Sequence, residues 1–187
     1  MRKQLYFLCV VLLLGMLTGC RSSNEKAVRE VINSAFQAYQ TRNLNDMKKY
    51  TGASFQTSDI PFFKNNDQLV DPVIKSLSEK TSISIQKVTI SGDQATVIGK
   101  VNISDIGAII RKVELAIRNR EITANKTDQL AVFTNAVNEE VKSNDAPMRE
   151  YDVEVKLQKV EGTWEIILDE KIRDAMTGGF ITYIGKE

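Results

Sequence analysis

Between residues 83 and 168 the apolar side chains change their period twice, and that switch constrains the fold more than any other feature of the chain. Residues 83–90 and 95–104 alternate apolar with polar positions, the two-residue period of a half-buried strand. Ser91-Gly92-Asp93-Gln94 joins them as the turn of a hairpin. Ala95, Val97, Gly99, Val101 and Ile103 keep one phase throughout. In the first strand the phase moves from Ile83/Ile85 to Val88/Ile90, which predicts a bulge near Gln86. Gly99 offers a second place for the sheet to bend. From 106 to 143 the period becomes helical. Ile106, Ile109, Ile110, Val113 and Ile117 form one stripe, and Leu130, Phe133, Val137 and Val141 form another, with a break at Asn119 to Lys126. Alternation then returns in 149–160, through Tyr151, Val153, Val155 and Leu157. The turn Glu161-Gly162 leads into 163–168, where Trp164, Ile166 and Leu168 alternate.

Helical signals flank this block. In residues 24–42, Val28, Val31, Ile32, Ala35, Phe36 and Tyr39 recur at steps of three and four, and Ser22 with Glu25 fits a capping box. Asn43-Leu44-Asn45-Asp46 interrupts the pattern, and Met47 and Tyr50 predict a short second helix ending at Gly52. Residues 53–66 are polar and turn-like around Ile60-Pro61-Phe62-Phe63. Asp71 as N-cap and Pro72 in the first helical position start a further helix, with Val73, Ile74 and Leu77 inward. Asp174 to Phe180 reads as a short helix stopped by Gly178-Gly179. Two hairpins with one apolar face, and helices to cover it, predict an α+β fold. Its strongly curved antiparallel sheet of about four strands packs on N-terminal helices, and a helical insert at 106–145 separates the hairpins, its two helices expected against the open side of the sheet.

The chain opens with Met1-Arg2-Lys3 and continues with an almost wholly apolar run from Leu5 to Leu17. That run is short of the ~20 residues a membrane span needs. A basic start, a short apolar middle and small residues at the end describe a secretory signal peptide. Its end, Leu17-Thr18-Gly19-Cys20, resembles the lipobox of bacterial lipoproteins. The resemblance implies cleavage after residue 19, a diacylglycerol on the Cys20 thiol, and acyl chains of the palmitate kind holding the protein at the outer face of the cell membrane. Each buried methylene contributes ~0.8 kcal/mol, so two or three chains make a durable anchor. Residues 20–24 are then a lipidated tether, and 25–187 a single domain.

Composition removes several functions. Without Arg2 and Lys3, the 25 basic residues become 23 against 24 acidic ones, so no basic excess suggests nucleic acid. The two cysteines, Cys9 and Cys20, belong to the leader and the anchor, which leaves the domain no disulfide and no free thiol. The chain has no histidine. That excludes Ser-His-Asp and Cys-His catalysis and imidazole metal sites, and it removes the side chain best suited to proton transfer near neutral pH. Any catalysis falls to carboxylate, Lys or Tyr groups. No cofactor and no metal is expected.

The segments AYQTRNLNDMKKYTG, DQATVIGKVNISD, YDVEVKLQKVEGTWEIILDE and DAMTGGF together resemble small lipoproteins of Firmicutes whose domain is nuclear-transport-factor-2-like, or cystatin-like. The resemblance implies a cone, in which a curved sheet wraps a long helix and often leaves a pocket at the open end. It transfers no catalytic residue, and the 106–145 insert exceeds the plain superfamily plan. Tyr39, Asp105, Tyr151 and Asp169 are the groups able to approach such a cavity. Core packing with a satisfied hydroxyl is the expected role for both tyrosines. Asp105 is expected as an N-cap, and Asp169 and Glu170 in solvent. Gly178-Gly179 lacks the lysine and context of a phosphate loop. Arg111, Lys112, Arg118 and Arg120 form a basic cluster off the apolar stripe, either a solvated face or a contact for anionic headgroups. Two functions follow as expectations. One is a membrane-anchored, non-catalytic binding module for a small molecule, a peptide or an envelope protein. The other is an extracytoplasmic isomerase or hydrolase using carboxylate and Tyr groups.

Overall fold

The computed structural model describes residues 23–52, 71–119 and 129–179. The signal peptide, Cys20, Ser22 of the capping box, the Ile60-Pro61-Phe62-Phe63 knot, residues 120–126 of the helix break and Arg120 lie outside the described residues.

A four-stranded antiparallel sheet is the centre of the fold, in the order β1 (Ser82–Ser91), β2 (Gln94–Ser104), β3 (Met148–Val160), β4 (Thr163–Ile167). Six helices accompany it among the described residues: α1 (residues 23–40), α2 (Leu44–Thr51), α3 (Asp71–Glu79), α4 (Ile106–Arg118), α5 (Gln129–Lys142) and α6 (Glu170–Met176). The α+β reading holds.

The alternation that marked the strands also sorts the faces of the sheet. Ala95, Val97, Val101, Ile103, Val153, Val155, Leu157, Trp164 and Ile166 are buried on one side, while Glu150, Asp152, Glu154, Lys156 and Gln158 are exposed on the other. An antiparallel sheet can leave one face to water because its hairpins need no crossover helices. The expected bulge is present: the β1–β2 register shifts between Ile85 and Lys87, at Gln86. Opposite it, Gly99 pairs with Ile85, and a Cβ there would lie 2.6 Å from the Ser84 carbonyl oxygen. Only glycine admits that approach.

α1 covers the apolar face. Its Val28, Ile32, Ala35, Phe36 and Tyr39 are buried in one cluster with the sheet residues, and Glu25 pairs with Arg29 on its outer side at 2.9 Å. The helix runs antiparallel to β1, since Arg29 Nη1 reaches the Ile85 carbonyl at 3.5 Å and Gln40 donates to the Thr81 carbonyl. Asn43 caps α2 by accepting from the Asp46 N–H at 3.1 Å, and Gly52 ends that helix with φ +78°. Asp71 is itself the first residue of α3, and its carboxylate binds Arg42 at 2.7 Å.

The insert corrects two expectations. α4 packs on α5, and α5 docks on α3, so the insert is seated mainly on another helix rather than on the open side of the sheet. The seam between α3 and α5 is partly polar. The Asn138 amide donates to the Pro72 carbonyl at 3.0 Å and the Ser76 hydroxyl at 2.9 Å, and accepts from Lys142 Nζ at 3.0 Å. Leu130, assigned to the inward stripe, is 61% exposed, because it lies a full turn before the buried Thr134, Val137 and Val141.

Candidate functional site

Three of the four residues expected around a cavity converge on the C-terminal end of α6. β2 finishes at Ser104, and Asp105 turns the chain into α4 by accepting from the Ala108 N–H at 2.9 Å. The last turn of α6 lies over this point. A Cβ on Gly178 would sit 2.7 Å from the Ser104 carbonyl oxygen, and one on Gly179 would sit 2.7 Å from the Tyr151 hydroxyl. Both glycines have positive φ, +66° and +81°, and the Gly179 N–H closes the helix by donating to the Asp174 carbonyl at 2.9 Å. From the other side, the Tyr39 hydroxyl donates to the Met176 carbonyl at 2.6 Å.

The two phenols differ in setting. Tyr39 is fully buried, and burial pushes its pKa well above 10.0, against a smaller lowering by Arg42. Tyr151 is half-buried and stands across from Val101 on β3. Among the described residues its buried hydroxyl oxygen has no hydrogen-bond partner, where a satisfied group was expected. Burial raises the Tyr151 pKa, the Arg149 charge lowers it, and Asp174 and Asp105 raise it. The Arg149 guanidinium lies 4.9 Å from the Tyr151 ring centroid, a cation–π distance. Phenols with raised pKa values stay protonated at neutral pH and serve as donors, not bases.

Tyr39, Tyr151 and Asp105 are thus brought together, and Asp169 is not. Asp169 stands at the opposite end of α6, where its side chain accepts from the Ile172 N–H at 3.0 Å. It is an N-cap rather than a solvent group, and α6 begins four residues before Asp174 as a result. Among the described residues no three His, Cys, Asp or Glu side chains gather as metal ligands. Among them, too, no helix is long and apolar enough to cross a membrane.

The basic cluster resolves into separate roles. Lys112 is held by Glu140 across the α4–α5 contact. Arg111 and Arg118 are exposed, and Leu115 between them is 56% exposed. Sequence reasoning overlooked this leucine because it follows the inward stripe only. The spacing Arg111-Leu115-Arg118, steps of four and three, was the available signal.

No protein-family model matches the chain, and no curated protein matches it. Among solved structures it is similar to the ycdA protein of Bacillus subtilis, which its name describes as a lipoprotein. The TM-score is 0.52 at 18% identity, over 80% of this chain and 53% of the other. The chain therefore spans about half the length of that protein, and the likeness is one of fold.

Proposed function

We propose that this chain is a lipoprotein anchored through Cys20 at the outer face of the membrane, and that its domain is a non-catalytic binding module. The sheet is read as the curved wall of a nuclear-transport-factor-2-like cone, a reading supported by the bulge at Gln86 and the crowded backbone at Gly99. The anchor rests on the basic-apolar leader and the LTGC box. Likeness in fold to a protein named as a lipoprotein supports it.

One observation carries the non-catalytic reading. The carboxylates that an enzyme without histidine would need are engaged as helix caps, Asp105 on α4 and Asp169 on α6, while the Tyr39 hydroxyl is tied to Met176. A general base has to be free to take a proton from substrate. Each capping carboxylate is turned by its Oδ1 toward its own helix N-terminus, the orientation of a cap and not of a base presented to substrate.

The test has two arms. Cells fed labelled palmitate should incorporate it into the wild-type chain and not into Cys20→Ala, which should also stay uncleaved at this box. The wild-type protein, crosslinked on the cell surface and purified, should carry a partner or ligand that is recovered chemically unchanged. Label in Cys20→Ala overturns the anchor. A bound compound converted to product by the purified chain overturns the binding role in favour of an enzyme.

A further inference from the structure

Ser104 and Met148 are direct partners across β2 and β3, so a short turn could join these strands; residues 105–147 lie between them instead. The outer side of that insert carries Arg111, Leu115 and Arg118 in one line along α4. Neither arginine makes an ion pair with a described residue, and Leu115 is turned to solvent. Glu114, also exposed, lies on the same face, three residues after Arg111 and four before Arg118, and Lys112 on the flank is occupied by Glu140.

The direction of α1 decides what this surface can meet. Because α1 runs antiparallel to β1, Ser23 lies at the end of the sheet that carries the Gly92 and Gly162 turns. Cys20 precedes Ser23 by three residues, at most about 11 Å of extended chain. The insert is rooted at the other end, where β2 finishes, β3 begins and α3 runs into β1, and the Lys80 ammonium donates to the Ser143 carbonyl there at 2.7 Å. The eighteen residues of α1 put about 27 Å between the two ends. A membrane that holds Cys20 therefore lies nearest the turn end, and the root of the insert stands at the far one.

We propose that the Arg111-Leu115-Arg118 face of α4 docks an acidic polypeptide segment of an envelope partner, with an apolar side chain set between its acids. Two guanidiniums with no ion pair among the described residues outweigh the single Glu114 carboxylate and attract acids, and the leucine between them favours a polypeptide over a bare anionic polymer. The assignment rests on the Cys20 anchor proposed above.

Site-specific photocrosslinking in the full-length protein on intact cells tests it. One chain carries p-benzoylphenylalanine at Leu115 and another at Asp93 in the β1–β2 turn. The expected result is a protein adduct at 115, mapped by mass spectrometry to an acidic segment, and phospholipid labelling at 93. Arg111→Glu with Arg118→Glu should lower the adduct at least roughly tenfold, and raised salt should lower it in the unsubstituted chain. Lipid labelling at 115 equal to that at 93 would favour headgroup binding and overturn the proposal. So would an adduct on a non-acidic segment, or no adduct at 115 while 93 labels lipid. Recovery of the wild-type chain in the soluble fraction would show that the anchor itself had failed, and the orientation with it.

Discussion

The Tyr39 hydroxyl donates to the Met176 carbonyl at 2.6 Å, so α1 and α6, the first and last of the described helices, are joined 137 residues apart by a fully buried bond. Tyr39→Phe removes the donor and leaves a buried carbonyl unsatisfied, which should cost about 1–3 kcal/mol in urea unfolding. The bond also has an alkaline signature. Folding raises the Tyr39 pKa above 10.0, so the unfolded chain loses its proton first and stability declines as pH rises past that value. Tyr39→Phe should flatten that decline. An equally steep fall in the variant would assign the alkaline sensitivity to another group.

Trp164 is 3% exposed within the core cluster, and Lys159 stands 5.6 Å from its ring. Trp164→Ala should destabilise the fold by ~3–5 kcal/mol, the usual cost of removing a buried indole. Thermal melting reads this directly, and an unchanged midpoint would contradict the burial.

At Gly99 the obstacle is backbone, not a side chain that can swing aside. Gly99→Ala should cost about 1–3 kcal/mol, because the new methyl must displace the Ser84 carbonyl at the bulge. Hydrogen exchange should quicken first in the β1–β2 pairs beside Gln86.

Asp71 tests the acid side. Its hydrogen bond to Arg42 holds the carboxyl below its ordinary value of 3.8. A lowered folded-state pKa gives stability that is present above the unfolded value and lost as pH falls through the folded one. Asp71→Asn should therefore cost at most about 1 kcal/mol at neutral pH, since the pair is partly solvated, and nothing in strong acid. A difference that persists in acid would place the loss in packing instead.

The strands and the bulge were legible because a period of two has only one way to bury its apolar set, and a phase slip within one strand requires an extra residue such as Gln86. The seat of the insert was not legible. A helical stripe states that a face is covered but not by what, and the partner of α5 turned out to be Ser76, Pro72 and their neighbours on α3. Asp169 was misjudged because a strand's last residue and a helix's first cap look alike until α6 is seen to start at Glu170. Of the candidate site, the resemblance offered Tyr39, Asp105, Tyr151 and Asp169 as groups able to approach a cavity, but not the role of Gly178 and Gly179, whose closeness to Ser104 and Tyr151 depends on the path of the chain between distant segments.

The pairing of Ser104 with Met148 also bears on how the chain folds in time. The β1–β2 and β3–β4 hairpins each close over a short turn and can form within microseconds. Zipping β2 to β3, which unites the halves, first requires the ends of the insert to find each other. Each doubling of such a loop adds only about 0.6 kcal/mol of closure entropy, but it falls due before the long ladder returns anything. In the finished molecule the buried Ile109, Val113, Val137 and Val141 offset that entropy. The insert therefore slows the completion of the sheet more than it weakens it.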